Sequence, residues 1–223
     1  MTSIIFGHYS ETEERDALAF KCLEAAHAQT NEDTELIIVF NGRYKYKDKF
    51  CALADRWHER DADKMPGRTI NTGIRIARGD IYFIMANDVL LKDGAVEECV
   101  RLIRAYPQFI ISPEHPPRYK NRLNIPFDKY ITNNRSGDSV NCMTQQQIDD
   151  IGARDEVALL TDEINYINRR IAKGYTVLLT EKPMATNMAP GVHSFKSQMK
   201  GWKGYKGSKP IYSTEELIKK SYV

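Results

Sequence analysis

Residues 81–95 read IYFIMANDVLLKDGA, an apolar run that stops at Ala-Asn-Asp before the chain is expected to resume as a helix. A strand of this kind is buried on both faces, as in a parallel sheet. It delivers a bare carboxylate, Asp88, to its carboxyl end, directly after Asn87. That carboxylate can cap the following helix or hold a metal ion, and the rest of the chain has to decide between the two.

At 223 residues the chain makes one large domain or two small ones and can bury about 70% of its unfolded surface. Its 42% apolar and 28% charged residues are those of an ordinary globular protein, which argues against a disordered or fibrous class. No run reaches the ~18 apolar residues of a membrane helix. The first residues, MTSIIFGHYSETEE, lack the basic start of a signal peptide, so a cytoplasmic location is expected. Cys22, Cys51, Cys99 and Cys142 are widely spaced, which fits reduced, mostly buried thiols better than a zinc knuckle or disulfide framework. The net charge of +2 hides an uneven distribution. Residues 196–209, KSQMKGWKGYKGSK, hold five lysines and no acid, which suits a phosphate-bearing partner, whereas 149–163 is acidic.

Strands and helices alternate through the first half. TSIIFG reads as a strand. The helix after it carries a capping-type Ser10 with Glu13 three residues on. TELIIVFNG is a second strand ending in an Asn-Gly turn, and residues 46–59 read as helical. RTINTGIRIARGD is a helix closed by Gly79, IYFIMA a third strand, DGAVEECVRLIRAY an amphipathic helix and QFIISP a fourth strand. From Pro113 the chain turns polar and rich in Pro, Asn and Arg, with only short β-type runs. Regular structure returns with VNCMT, TQQQIDDIG, TDEINYINRRIAKG and YTVLLT. In open sheets of this type a ligand sits beyond the carboxyl ends of the strands, where Gly7-His8-Tyr9, Asn41-Gly42 and Asn87-Asp88 would converge.

Four stretches in order resemble the family 2 glycosyltransferases of the GT-A fold. Residues 2–42 are similar to that family's opening strand, helix and second strand. NTGIRIARGDIYFIMANDV resembles the segment leading to its metal-binding Asp-x-Asp. IDDIGARDE looks like its acceptor-side turn, and TDEINYINRRIAKGYTVLL its base-bearing helix. The resemblance implies an α/β fold of GT-A type: a mostly parallel, mixed central sheet flanked by helices, with a Rossmann-like nucleotide-binding half. It implies residues 1–112 as the donor half, 113–194 as the acceptor-side half of the same domain, and 195–223 as a basic tail or lid.

The Asp-x-Asp falls on Ala86-Asn87-Asp88, so its first acid is missing. In the second strand Phe40 and Asn41 stand where acids often read the base or ribose. By resemblance Asp88 and His193 are the ligands of Mn²⁺ or Mg²⁺. Glu163, eleven residues before Gly174, is the catalytic base, with Asp162 beside it as the alternative. An acid in the first turn of a helix is also favoured by the helix dipole, and Thr161 could cap that helix. Arg169 matches an arginine of the family that orients acids or contacts phosphate. His8, Tyr9, Asn41, Arg68, Asn71 and Asn87 are expected at the donor. Lys203 and Lys206, with Trp202 and Tyr205, are expected to close over its diphosphate.

The implied activity moves a hexosyl or pentosyl group from a nucleotide-diphosphate sugar to an acceptor hydroxyl, with inversion. The acceptor could be a glycan, a lipid phosphate or a modified nucleic acid. Rival expectations are a catalytically weak member that binds a nucleotide or glycan, and a transferase acting on modified nucleic acid. Nucleotidyl transfer fits less well, because no glycine-rich phosphate loop follows the first strand.

Overall fold

The computed structural model of the protein describes residues 1–9, 12–42, 44–60, 66–114, 124–133, 139–156 and 162–188. Among them eleven strands and six helices follow in the order β1 (Thr2–His8), α1 (Glu13–His27), β2 (Thr34–Asn41), α2 (Lys47–Cys51), β3 (Arg56–Arg60), α3 (Pro66–Ile76), β4 (Ile81–Ala86), β5 (Val89–Leu91), α4 (Ala95–Ala105), β6 (Phe109–Glu114), β7 (Asn124–Phe127), β8 (Tyr130–Asn133), β9 (Val140–Thr144), α5 (Gln145–Ile151), α6 (Asp162–Ala172), β10 (Thr176–Pro183) and β11 (Ala185–Asn187).

Nine strands form one sheet in the order β3-β2-β1-β4-β9-β6-β10-β8-β7. The pairings make all strands but β9 and β8 run the same way, so the sheet is mixed but mostly parallel. β9 comes from the second half of the chain and lies between β4 and β6, which joins both halves into one sheet. From β1 the chain steps outward through β2 and β3, then crosses back to place β4 on the other side of β1. That reversal is the topological switch point, and it opens a crevice above the carboxyl ends of β1 and β4.

The strands are apolar along their length because helices cover both faces. Ile4, Phe6, Leu36, Ile38, Phe40, Phe83 and Met85 point to one layer with Cys22 and Leu23 of α1 and Cys99 and Leu102 of α4. Ile5, Tyr82, Ile84, Met143 and Val177 point the other way, onto Ile148 of α5 and Tyr166 of α6, with Ile70 and Ile74 of α3 packed alongside. The four cysteines are free, three of them buried, in agreement with the expectation from their spacing. No helix among the described residues is long and apolar enough to cross a membrane.

Several local expectations need correction. α1 is capped by Thr12, whose side chain accepts a hydrogen bond from the Arg15 amide at 3.3 Å; Ser10 lies outside the described residues. Residues 46–59 form only the short α2 and then β3, an edge strand paired on one side to β2. α3 ends at Ile76, and Gly79 serves a different purpose: a Cβ there would lie 2.6 Å from the Met1 carbonyl oxygen. The chain after Asp88 does not go straight into a helix. It forms β5, which pairs antiparallel with β11 in a separate two-stranded sheet.

α3 sits close to the sheet because it is built with glycine at its contacts. A Cβ on Gly73 would collide with Ile5 Cγ2, and one on Gly67 with the Asp155 carbonyl oxygen. Gly67→Ala should therefore destabilise the protein. Helix propensity favours alanine by about 1 kcal/mol, but overpacking against backbone costs about 1–3 kcal/mol and must shift the 152–156 loop. Urea unfolding checks this; a variant at least as stable as wild type would contradict the close packing.

Candidate active site

The register of β1 decides where the site lies. His8 pairs with Phe40 of β2, and Gly7 pairs with Ala86 of β4, so the three strands finish almost level. Asn87 and Asp88 form the turn between β4 and β5 and stand over the end of β1. The turn is held by the Met188 amide, which donates to the Asp88 carbonyl at 2.8 Å. Both side chains are half-buried. Asp88 is also close enough to α1 to add to the effect of burial on Cys22, whose thiol is pushed up to about 12 mainly by desolvation.

His8, expected at the donor, is instead a core residue, 1% exposed. Alternation along β1 turns it toward Phe40, Tyr44 and Phe50, with ring centroids 6.0, 4.9 and 4.7 Å away. Its Nε2 is 3.5 Å from Asp16 Oδ1 of α1, and its Nδ1 is 3.2 Å from Asn87 Nδ2. Burial pulls its pKa down to about 4, so the ring is neutral at pH 7. Asn87 also donates to the Tyr9 carbonyl at 3.4 Å, which brings His8, Tyr9 and Asn87 together as expected neighbours. Phe40 is fully buried in this aromatic cluster.

Asn41 lies at the rim, half-buried, and donates through Nδ2 to Thr69 Oγ1 at 3.3 Å. Gly42 after it adopts a φ of 105°, the backbone that the Asn-Gly turn required. Arg68 and Asn71, also expected at the donor, are 4% and 0% exposed. Their described contacts hold the 152–156 loop. Asn71 donates to Glu156 Oε1 at 2.8 Å and to the Arg154 carbonyl at 3.1 Å, and it accepts from the Arg154 amide at 3.0 Å. Arg68 Nε is 3.9 Å from Glu156 Oε2, a buried pair. These roles could not be read locally, because the partners are more than eighty residues away in sequence.

The same loop reaches α6. Asn165 donates to Asp155 Oδ2 at 3.1 Å, and Arg169 donates to the Ala153 carbonyl. Arg154 stacks over the Tyr166 ring at 3.9 Å. Asp155 in turn abuts Gly67 at the amino end of α3. The amino ends of α3 and α6 are thereby tied to one loop, and Asp162 and Glu163 occupy the first turn of α6. Their side chains, Thr161, and all of His193, Trp202, Lys203, Tyr205 and Lys206 lie outside the described residues. Among the described residues no three His, Cys, Asp or Glu side chains cluster to hold a metal.

A groove of about 410 Å³ lies at the opposite, amino-terminal rim of the sheet, lined by Met1, Asp80, Ile81, Arg104 and Thr144 among others. It contains none of the expected site residues. The switch point remains the better candidate, because polar strand ends converge there.

His8 makes a pH prediction. The unfolded histidine titrates near 6.5 and the folded one near 4. Between those values the unfolded state takes up a proton that the folded state refuses, so stability falls as pH falls and levels off below 4. The slope is about 1.4 kcal/mol per pH unit, or roughly 3 kcal/mol in all from this residue. Denaturant unfolding at pH 7 and pH 4.5 should show His8→Phe losing clearly less stability on acidification than wild type; equal losses would contradict a buried neutral His8.

Comparison with known proteins agrees with this architecture. Solved structures of S. aureus TarS align over the fold at 10% sequence identity. The full TarS structure gives a TM-score of 0.61, covering 89% of this chain and 38% of TarS. A 1–349 form gives 0.64, covering 99% and 70%. The same form in complex with UDP-GlcNAc gives 0.64, covering 89% and 63%. At that identity the likeness concerns the fold, and the chain spans well under half of full-length TarS. No curated protein matches the chain in sequence. The profile described as Glycosyl transferase family 2 matches residues 4–148, well over half of the chain, with most of β1, the switch point and the Asn87-Asp88 turn inside it. The chain belongs to glycosyl transferase family 2.

Proposed function

We propose that the protein transfers a sugar from a nucleotide-diphosphate donor to an acceptor hydroxyl at the crevice above β1 and β4. The observation that carries this reading is the half-buried Asp88 in the β4–β5 turn, at the switch point of the sheet. Residues 1–112 form the donor half, 113–194 the acceptor-side half, and the tail from 195 supplies Lys203 and Lys206 as diphosphate contacts. Uridine nucleotides are the first donors to try, because the TarS fold is known with UDP-GlcNAc and with UDP bound.

The donor set fits a hard divalent ion. A carboxylate oxygen suits Mg²⁺ or Mn²⁺, and such ions are commonly held by one or two protein carboxylates with phosphate and water oxygens completing the shell. Asp88 is the first ligand and His193 the second. When bound, the ion neutralises the charge gathering on the leaving diphosphate. Glu163 takes the proton from the acceptor hydroxyl, with Asp162 as the alternative base, and a base opposite the leaving group gives inversion. The tie between α3, the 152–156 loop and α6 supports this assignment, since it couples the helix carrying the base to the donor half. Rim residues Tyr9, Asn41 and Asn87 contact the donor, while Arg68 and Asn71 act by holding that loop. The acceptor, whether glycan, lipid phosphate or modified nucleic acid, enters from the acceptor-side half.

Ala86, in place of an acid, favours a second reading in which the protein binds a donor with little turnover. Two measurements separate the readings. Thermal unfolding with UDP, GDP and their sugars, with and without Mn²⁺, should show stabilisation by at least one of them; stabilisation by none overturns both readings. Glu163→Gln should retain donor affinity while turnover drops about 10²–10⁴-fold. Turnover unchanged by that substitution would move the base to Asp162. Absent turnover in a wild type that binds donor would favour the binding protein.

A further inference from the structure

Arg154 joins α3 to α6 through one peptide and one side chain. Its main chain is held by α3: Asn71 accepts from the Arg154 amide at 3.0 Å and donates to its carbonyl at 3.1 Å. Its guanidinium is held by α6, lying 3.9 Å from the centroid of the Tyr166 ring. Arg154 and Tyr166 are 5% and 3% exposed, so the stack is shielded from water, where a cation over an aromatic face is held most firmly. At its far end the ring reaches β9, where the Tyr166 hydroxyl donates to Met143 Sδ at 3.4 Å. Tyr166 is thereby gripped between the strand that joins both halves of the sheet and a loop fastened to α3.

Asn165 and Arg169 also tie α6 to this loop, through Asp155 and the Ala153 carbonyl, but these bonds leave one motion open. Residues four apart lie one above the other on a helix, so the two bonds form a line parallel to the axis, about which the helix can still roll. Tyr166 lies about 100° around the helix from Asn165, so a grip on its ring stops that roll. A roll of about 10° carries a group on the ~6 Å outer radius of a helix through about 1 Å. We infer that Arg154 is a positioning residue for the transfer: by covering Tyr166 it sets the roll of α6, and with it the reach of the acid in that helix's first turn toward the acceptor hydroxyl. The inference rests on the functional reading above, which places the base in that turn. A misplacement of about 1 Å costs about 10²-fold in rate. The cost falls on the chemical step, because the described contacts of Arg154 lie on α3 and α6 and not on the strand ends over which the nucleotide is placed.

The test measures, on the full chain, UDP affinity by isothermal titration and the release of UDP from UDP-GlcNAc, with water standing in for the acceptor hydroxyl. Arg154→Ala should lower the rate between about 10- and 100-fold and leave UDP affinity within about twofold. Arg154→Lys, which keeps the charge but cannot lie flat on the ring, should lose rate as well. Tyr166→Leu should match Arg154→Ala, and the double variant should fall no further than either single one, because the two side chains act as one device. An unchanged rate, losses that multiply in the double variant, or a loss of UDP affinity equal to the loss of rate would each overturn the inference. No UDP release by the wild type overturns the functional reading and this inference with it. Hydrogen exchange needs no ligand. The amides of residues 166–170 bond back to the first turn of α6, and in Arg154→Ala they should exchange about tenfold faster than in wild type, with α1 and α4 unchanged. Unchanged exchange in α6 overturns the inference alone.

Discussion

β1 is hydrogen-bonded along both edges, to β2 on one side and β4 on the other, and most of the architecture follows from that constraint. A strand paired on both sides cannot slip by one residue without sending every side chain to the wrong face. The register therefore fixes Ile4 and Phe6 on one layer, Ile5 on the other, and the strand ends at one height. Gly7 falls on the α3 face, where a Cβ would meet Thr69 Cγ2 at 2.9 Å. His8 falls on the opposite face and is driven into the aromatic cluster. The crevice is thus a consequence of pairing, and its floor is the backbone of β1.

The same constraint explains why polar groups are buried so near the site. A neutral histidine is desolvated at far lower cost than a charged one; here Asn87 meets Nδ1 at 3.2 Å, while Nε2 faces Asp16 at 3.5 Å without a hydrogen bond. On the other layer, Asn71 uses its whole carboxamide on the 152–156 loop. Buried amides of this kind specify one arrangement of the elements they join, because any other leaves them unpaired. Here they hold the first turn of α6 against the donor half.

Much of this fold was legible in the sequence, for a physical reason. β1, β2 and β4 are covered by helices on both faces, and unbroken apolar runs such as Leu36–Val39 and Ile81–Met85 carry that burial in their composition. β3 was not legible: Arg56–Arg60 is an edge strand, half-exposed, held by backbone pairing and by contacts such as Lys47 over Trp57, none of which leaves an apolar pattern. β5 was missed because its partner, β11, lies almost a hundred residues onward. At the site, the position of Asp88 followed from the end of an apolar strand. The inward turn of His8, Arg68 and Asn71 did not, since their partners, from Asp16 to Glu156, belong to other segments of the chain.

The central claim is that the carboxyl rim above β1 and β4 holds the donor diphosphate. A crystal structure of the protein with UDP and Mn²⁺ tests it most directly. The account predicts the diphosphate beside Asp88, with the nucleoside extending over the end of β1 toward Asn41. A nucleotide seated in the groove of Met1, Asp80 and Arg104 at the other rim, with the Asp88 turn empty, would contradict it.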